Sequence, residues 1–561
     1  MIFLKKYLSS LRFRVRNKTK EVIFSFNKIA LLRLRSVLAL LAMMLLISCA
    51  QQVPLTGGEK DIEAPKELES FPKNGSANFN SDEIVIEFDE FIQIQNLSSQ
   101  LIVSPLMESE PEVMVKNKKL VIKLKDTLSA NTTYSLNFGN AIMDITENNP
   151  FPNYKYVFST GGFVDSLSFS GTIINAQDLT PQEQTYVLLY NQFEDSVPLK
   201  EKPRYIAISD KEGNFNITNI ASGTYKLFAI NDINGNYLFD LPNEEIAFSN
   251  ELITINESSA NNILYLFEEE SNIQYVVKSE HKKYGKIDVI LNTPPTKLAI
   301  TAVNNTPKEF AIKENNKTND SLTLWILPTV NTKEIEFELK DDTAVIDTLN
   351  FSLINAKKFN DSALVVQSNI GGQFDLNQNI FLTLNRPFVA YYSDSLKLIE
   401  DSIEVKPNYP LVDIGLRKFE LAYDFKENAN YQLIIPPNTF EDLYGIKNDT
   451  TIINFKTKKT TDYGAIALNI APNFTDNYIL QLRKNKKIIQ QDFLTGKQLV
   501  NYKYLVPGNY ELKLIIDTNN DKKWTTGKYI DQQQPEKILF YEKEISIRAN
   551  WDNDISWIIK E

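Results

Sequence analysis

The 561-residue sequence is very poor in two residues that build catalytic and metal sites, because it has one histidine and one cysteine. A single histidine excludes HExxH zinc sites, Ser-His-Asp triads and multi-histidine metal centres. His281 lies between charged neighbours in KSEHKKYG, which favours a surface position. GxSxG, Walker and GxGxxG motifs are absent as well. Carboxylates are plentiful, but the sequence assigns no pair of them to acid–base chemistry, so we name no catalytic residue.

An excess of positive charge is also missing. The formal net charge is −11 and the pI is about 5.1, whereas a nucleic-acid-binding protein needs a basic face. The N-terminal leader is itself basic, with Lys5, Lys6, Arg12, Arg14 and Arg16 near its start. Loss of that leader on export would leave the remaining chain more acidic. We therefore expect no nucleic acid among the partners.

The single cysteine follows the most apolar segment of the chain. The uncharged run VLALLAMMLLI (37–47) is preceded by basic residues and followed by Ser48 and Cys49. A basic region, a short apolar region and small residues at its end are typical of a secretory signal, and the run is too short for an ordinary membrane span. The alternative is an uncleaved signal anchor with an idle cysteine. If Cys49 is modified at the membrane, no free cysteine remains, and the exported protein must be stabilised by its cores without disulfides.

The rest of the sequence has the alternation of β-strands. DEIVIEFDEFIQI (82–94) and KKLVIKLKDTL (118–128) alternate apolar and polar residues, and turn residues recur at short intervals. No long segment outside the leader keeps a 3.6-residue period. The pattern predicts an all-β protein, a string of β-sandwich domains. In the closing segment IRANWDNDISWII, we expect Trp551 and Trp557 to lie in a core.

Two pairs of segments repeat within the chain. The first pair is 128–161 and 425–458, which share an Asn-Tyr strand start, an Asn-rich loop and a closing Phe-x-Thr. We expect Tyr134 and Tyr431 to anchor the strand starts, and Phe158 and Phe455 to fill the core. The second pair is 221–240 and 506–525, which share a Gly-x-Tyr strand followed by an Asp/Asn-rich loop. Gly213, upstream of the second pair, fits a turn that requires positive φ.

The Asp/Asn-rich loops of the second pair are the best candidate metal sites. DINGNYLFD places oxygen-bearing side chains at alternate positions, and DTNND does so more weakly. Alternate oxygen ligands on a tight loop suit Ca²⁺, which takes six to eight oxygens. An Asx-rich turn whose side chains bond their own backbone is the other interpretation. The expected ligands are Asp232, Asn234, Asn236 and Asp240 in the first loop and Asp517, Asn519 and Asp521 in the second. Tyr237 stands where an EF-hand has glycine, and Glu244 or Glu245 would have to replace its bidentate glutamate.

Several of these motifs resemble known families. The end of the apolar run, LISC, is similar to the lipobox of bacterial lipoproteins, which implies cleavage before Cys49 and acylation of that residue. APKELESFPKNG, IVIEFDEFI and FSTG resemble the SbsA-type bacterial Ig-like domain. SDKEGNFNITNIASGTYKL resembles the transthyretin-like, carboxypeptidase-regulatory-like module. The Asp/Asn loops resemble the first half of the calcium loops in B-type repeats of staphylococcal surface proteins. As a whole, the sequence resembles Ig-like domain-containing outer-membrane lipoproteins of Bacteroidetes.

The resemblances and the repeats together predict the domain order. The expected boundaries are 1–48, lipoprotein signal peptide; 49–62, flexible tether; 63–161, SbsA-type Ig-like domain; 162–270, transthyretin-like sandwich; 271–360, sandwich of unassigned family; 361–459, degenerate Ig-like domain; and 460–561, second transthyretin-like sandwich.

The resulting functional expectation is a non-enzymatic, lipid-anchored cell-envelope protein. It would act as a structural, assembly or binding scaffold at the outer membrane, on its periplasmic or surface face. The expected partners are the membrane, through Cys49, and outer-membrane proteins or a surface glycan; Ca²⁺ is the only cofactor considered. The alternatives are a surface adhesin or glycan-binding protein and a glycan hydrolase that uses carboxylates.

Overall fold

The computed structural model describes residues 61–271, 273–316, 318–354, 363–376, 378–407 and 417–559. Regular structure in these residues is almost entirely β-strand, which confirms the predicted all-β class. The helices are single turns: α1 (Leu97–Gln100), α2 (Val197–Lys200) and 3₁₀ turns at Ser393–Ser395 and Thr460–Asp462. Within the described ranges, no helix has both the length and the apolar character needed to cross a membrane.

The chain divides into two compact units. One consists of residues 1–64 and 145–149; in its described part, the Asn149 side-chain amide donates to the Asp61 carbonyl at 3.0 Å. The other consists of residues 65–144 and 150–561. It contains all the strands described below, which group into five sandwiches in chain order.

Sandwich 1 packs two main sheets over one apolar core. Ile84, Ile86 and Phe88 alternate with half-buried residues along one strand, and all three are buried. The sheets have the orders β1-β2-β6-β5 and β4-β7-β9, and β3 pairs with β8. The strands are β1 (Glu67–Phe71), β2 (Glu83–Phe88), β3 (Ile92–Ile94), β4 (Ile102–Ser104), β5 (Glu112–Lys116), β6 (Lys119–Lys123), β7 (Thr133–Asn137), β8 (Ile142–Asp144) and β9 (Lys155–Ser159).

Sandwich 2 is a single sheet that wraps around its core. Its order is β12-β11-β14-β15-β17-β10-β13, and β16 also pairs with β14. Gly213 has φ +76° in the turn between β12 and β13, as predicted. The strands are β10 (Leu167–Asn175), β11 (Tyr186–Tyr190), β12 (Tyr205–Ile208), β13 (Asn214–Ile220), β14 (Gly223–Asn231), β15 (Glu245–Phe248), β16 (Ile253–Ile255) and β17 (Ser259–Glu268).

Sandwich 3, which the sequence left without a family, has the strand order of a constant-type immunoglobulin domain. Its sheets are β18-β19-β22-β21 and β20-β23-β24; lettered A to G in chain order, these are ABED and CFG. The strands are β18 (Val276–Lys283), β19 (Lys286–Leu291), β20 (Leu298–Val303), β21 (Ala311–Asn315), β22 (Ser321–Ile326), β23 (Glu334–Asp341) and β24 (Ala344–Ser352).

Sandwich 4 follows the plan of sandwich 1, with a strand added at each edge of one sheet and, among the described residues, no counterpart of β5 in the other. Its sheets are β25-β27-β31, β26-β34-β32-β29-β30 and β28-β33. The strands are β25 (Val366–Ser368), β26 (Gln373–Phe374), β27 (Ile380–Leu384), β28 (Phe388–Tyr391), β29 (Lys397–Glu400), β30 (Ile403–Val405), β31 (Lys418–Leu421), β32 (Asn430–Ile435), β33 (Phe440–Asp442) and β34 (Thr451–Thr457).

Sandwich 5 repeats sandwich 2 strand by strand. In both, the first strand pairs in parallel with the last and antiparallel with the fourth, and the fifth pairs with the second, sixth and seventh. The strands are β35 (Gly464–Pro472), β36 (Asn477–Lys484), β37 (Lys487–Thr495), β38 (Gln498–Leu505), β39 (Gly508–Asp517), β40 (Ile538–Phe540), β41 (Ile545–Ile547) and β42 (Asp552–Ile559).

The aromatic pairs predicted for the first repeat are present. Tyr134 stacks on Phe158 with ring centroids 5.4 Å apart, and Tyr431 stacks on Phe455 at 5.2 Å. All four side chains are buried. Each pair joins two neighbouring strands of one sheet, β7 with β9 and β32 with β34, on the face toward the core.

The two tyrosines also anchor the strand starts as predicted. The backbone N–H of Ser129 donates to Tyr134 Oη at 2.9 Å, and that of Lys426 donates to Tyr431 Oη at 2.9 Å. In both copies the donor lies five residues before the tyrosine. The repeated Asn-Tyr motif therefore encodes a repeated corner of the fold.

Candidate functional site

The first Asp/Asn loop connects β14 to β15, and its four predicted residues lie together. Asp232 accepts hydrogen bonds from the backbone N–H groups of Gly235, Asn236 and Tyr237. The amides of Asn234 and Asn236 donate to the two oxygens of Asp240, at 3.1 and 2.9 Å. Tyr237 has φ +63°, so the loop takes a left-handed turn where an EF-hand has glycine.

The second loop connects β39 to β40 and copies this geometry. Asp517 accepts from the backbone N–H groups of Asp521 and Lys522, both at 3.1 Å. The Asn519 amide donates to Asp521 Oδ2 at 3.1 Å. Lys522 has φ +64°, like Tyr237 in the first loop. Asp517, Asn519 and Asp521 are thus brought together, with the Thr525 hydroxyl donating to Asp521.

A buried glutamate closes each loop. Glu244 accepts from the backbone N–H groups of Ile233, Asp240 and Leu241 at 3.0 to 3.1 Å. Glu536 does the same for the second loop. The pairing of Glu244 with Glu536 was missed from the sequence, because Glu244 follows the first loop directly whereas an insertion separates Glu536 from the second.

The Asp and Asn oxygens of both loops serve hydrogen bonds inside the loops, which is the arrangement of an Asx-rich turn. Among the described residues, no group of three or more His, Cys, Asp or Glu side chains is placed to hold a metal ion. Calcium binding at the mixed Asp/Asn set therefore stays a prediction. The predicted lipid site, Cys49, lies outside the described residues.

Two other sequence expectations need correction. Trp557 is buried, but Trp551 is 58% exposed and packs under the guanidinium of Arg548, 5.5 Å from the ring centroid. His281 is half-buried rather than a surface residue, because its ring bridges two segments of sandwich 3. Nδ1 bonds to the Lys286 carbonyl at 2.8 Å, and Nε2 accepts from the backbone N–H of Ile354 at 3.2 Å.

A polar cleft of about 680 Å³ lies between sandwiches 1 and 2. Lys155 lines the cleft and donates to Thr218 Oγ1 at 2.6 Å, and burial lowers the pKa of this lysine. Seven of the residues that line it carry amide side chains: Gln100, Asn137, Asn140, Asn153, Gln184, Asn216 and Asn231. Asp232 of the first loop also lines the cleft, so that loop and the cleft form one continuous surface.

Sandwiches 2 and 5 pack against each other although Lys513 and Tyr529 lie 336 and 334 residues from their hydrogen-bond partners in sandwich 2. Tyr529 of sandwich 5 is only 2% exposed, and its ring packs on Phe228 and Phe248 with centroids 5.3 and 5.1 Å away. Its hydroxyl donates to the Asp195 carbonyl at 2.7 Å. We call this contact the Tyr529 joint.

A buried lysine adds to the Tyr529 joint. Lys513 Nζ donates to the Gln177 carbonyl of sandwich 2 at 2.7 Å. Burial lowers the pKa of Lys513 to about 8, with a further contribution from Arg483. This joint could not be predicted from sequence patterns, because its residues fall in an insertion and on an outer sheet face.

Sandwiches 3 and 4 meet at an ion pair. Arg417 donates from Nε and Nη2 to the two oxygens of Glu314, at 2.8 and 2.5 Å. Trp325 Nε1 donates to the same carboxylate at 2.7 Å, and Tyr444 donates to the Ile326 carbonyl at 2.9 Å. A bidentate pair of this kind fixes orientation as well as distance.

Comparison with known proteins supports the fold. Residues 61–160 match the family model of the bacterial Ig-like domain, a range that contains every strand of sandwich 1. No curated protein is found as a relative.

The solved structures that match this chain include bacterial proteins and animal immunoglobulin and fibronectin domains. The Bacillus anthracis TIE protein is 11% identical over 90% of this chain and 76% of its own, with a TM-score of 0.14. The S-layer protein rSbsC is 11% identical over 81% of this chain and 64% of its own, with a TM-score of 0.13. BcpA, the major pilin subunit of Bacillus cereus, is 9% identical over 70% and 99%, with a TM-score of 0.13. Identities and TM-scores this low do not transfer a function.

Proposed function

We propose that this protein is a non-enzymatic, lipid-anchored scaffold of the bacterial cell envelope, tethered to the outer membrane through Cys49. The observation that supports a scaffold most directly is the kind of contact that joins sandwich 2 to sandwich 5 and sandwich 3 to sandwich 4. The Tyr529 joint and the Arg417–Glu314 pair are built from directional, buried or half-buried contacts. Such joints hold the spacing between sandwiches, whereas a flexible string would be joined by solvated linkers.

The lipid anchor is supported by the sequence alone. LISC at 46–49 follows a basic leader and a short apolar run. Two or more acyl chains hold a protein stably on a membrane, whereas one does so marginally. The segment from Ala50 to residue 62 would then be the tether between membrane and sandwich 1.

A change at the cysteine tests the anchor. In cells that express Cys49→Ser, we expect the protein to leave the detergent phase of a Triton X-114 separation and to lose labelling by an alkyne analogue of palmitate. Ser48→Ala is the matched control, since it keeps a small residue before the cysteine and should keep both properties. Mass spectrometry that finds an unmodified Cys49 thiol in the wild-type protein would refute the anchor.

Density-gradient fractionation of the envelope then tests the outer-membrane assignment. Purification of the wild-type protein after in-cell cross-linking tests the scaffold role. Stoichiometric membrane-protein partners support that role, and recovery of the protein alone contradicts it.

The second candidate is a surface adhesin or glycan-binding protein, which the cleft between sandwiches 1 and 2 favours. Amide side chains hydrogen-bond well to sugar hydroxyls because each supplies donors and an acceptor. A glycan array probed with the wild-type chain and with Gln184→Ala/Asn216→Ala tests this role. Glycan binding that the double substitution abolishes supports this role. Equal signals from both proteins would show that the cleft does not bind the glycan.

A further inference from the structure

The repeat of sandwich 2 in sandwich 5 allows the same sheet edge to be compared in two settings. In sandwich 2 this edge is β12, which pairs with β11; in sandwich 5 it is β37, which pairs with β36. Ile206 pairs with Leu188, which pairs on its other side with Phe228, five residues after Gly223. Gln491 pairs with Gln481, which pairs on its other side with Lys513, five residues after Gly508. Ile206 and Gln491 are therefore equivalent positions.

In sandwich 2 the edge is covered by sandwich 1. Tyr205, Ile206 and Ala207 of β12 are all buried. The backbone N–H of Ile206 donates to Ser104 Oγ on β4 of sandwich 1, at 3.2 Å. The fold therefore uses this edge as a docking surface in its first copy.

In sandwich 5 the equivalent edge is open. Strand β37 ends its sheet, and among the described residues no strand pairs with its outer side. Its sequence KIIQQDFLT leaves Ile488, Ile489 and Phe493 52%, 46% and 49% exposed. A nine-residue edge strand with exposed apolar side chains is a template for pairing with another strand.

We propose that β37 pairs antiparallel with β37 of a second copy of this chain. A two-fold axis at Gln491 would place Ile489 opposite Phe493 of the second copy, and Gln490 opposite its Asp492. No like charges face each other in this register, and Lys487 meets Thr495. The strand is thus self-complementary, which an isologous dimer requires.

A single cysteine tests the register directly. In the full chain carrying Cys49→Ser, an introduced cysteine is the only thiol. Gln491→Cys lies at the proposed axis, where facing residues of an antiparallel pair have Cα atoms about 4.5–5.5 Å apart, within disulfide range. We expect mild oxidation to give a dimer of twice the chain mass of 64.2 kDa. Lys487→Cys, on the same strand but opposite Thr495, should not cross-link to itself.

Analytical ultracentrifugation of the same full chain provides the second measurement. Phe493→Lys should weaken self-association at least tenfold, whereas Val345→Lys, an equally exposed position on edge strand β24 of sandwich 3, should not. A wild-type chain that stays monomeric at high protein concentration would overturn the proposal. So would equal cross-linking of both cysteine variants, or a Gln491→Cys product with a different protein.

Discussion

At the scale of the residue, Lys513 places a charge where the repeat has an aromatic ring. Its equivalent in sandwich 2 is Phe228, and both side chains are buried on the outer face of their sheets. A lysine in that position keeps its charge only against a desolvation cost, which is why burial lowers its pKa to about 8.

The lowered pKa of Lys513 predicts a stability that rises with pH. Below pH 8 the lysine is protonated in both states and its cost is fully present. Between about pH 8 and 10.4 the unfolded state binds more protons, so the free energy of unfolding should increase by up to about 1.4 kcal/mol per pH unit.

Chemical denaturation across this pH range checks the prediction. Lys513→Met should remove the rise, and it should be the more stable protein at pH 7. Lys503→Met, a change at an exposed lysine of the neighbouring β38, should keep the wild-type slope. A wild-type stability that is flat or falls from pH 8 to 10 would mean that Lys513 is not buried as described.

At the scale of the element, the two Asp/Asn loops show how far a local motif determines structure. Each has an aspartate that binds successive backbone N–H groups and a residue with φ near +60° at the sixth position. Ca²⁺ binding would require the amides of Asn234 and Asn236 to turn their oxygens toward the ion, since they now donate to Asp240.

The calcium hypothesis predicts that about 1 mM Ca²⁺, a concentration suited to extracellular modules, raises the melting temperature relative to EDTA. Asp240→Asn should abolish the increase, because it removes a charged ligand from the first loop. Asp521→Asn, the same acid-to-amide change in the weaker second loop, should reduce it less. Scanning calorimetry that finds equal melting temperatures in Ca²⁺ and EDTA would leave the loops as hydrogen-bonded turns.

Local patterns predicted the elements well and their long-range neighbours poorly. The alternation of apolar and polar residues was sufficient to predict the strands. The repeated Asn-Tyr and Phe-x-Thr motifs were sufficient to predict that Tyr134 and Phe158, and Tyr431 and Phe455, lie in the core. The prediction of a core position for Trp551 was wrong. Side chains of a strand point alternately to its two faces, and composition does not indicate which face is covered. Glu536 was missed since its distance from the loop differs between the copies.

Across the molecule, the Tyr529 joint links sandwiches 2 and 5, which are far apart in the sequence. A buried tyrosine that contacts two aromatic rings commonly contributes a few kcal/mol. With the joint intact, sandwiches 2 and 5 should unfold as one cooperative unit.

Tyr529→Ala should uncouple that unit. We expect differential scanning calorimetry to resolve an additional transition at lower temperature, because sandwich 5 loses its support from sandwich 2. Trp551→Ala removes an equally large but mostly exposed ring from sandwich 5 and should leave the profile nearly unchanged. An unaltered profile for Tyr529→Ala would contradict a coupling role for this side chain.

Under the proposed tether at Cys49, the Tyr529 joint would also set the route of mechanical load through the chain. A pull applied between the N-terminal side of sandwich 2 and the far side of sandwich 5 passes directly across this contact. Sandwiches 3 and 4, which lie between sandwiches 2 and 5 in the chain, then carry no tension until the contact breaks. They would extend only after the Tyr529 joint has ruptured, so that the protein would lengthen in separate steps under force.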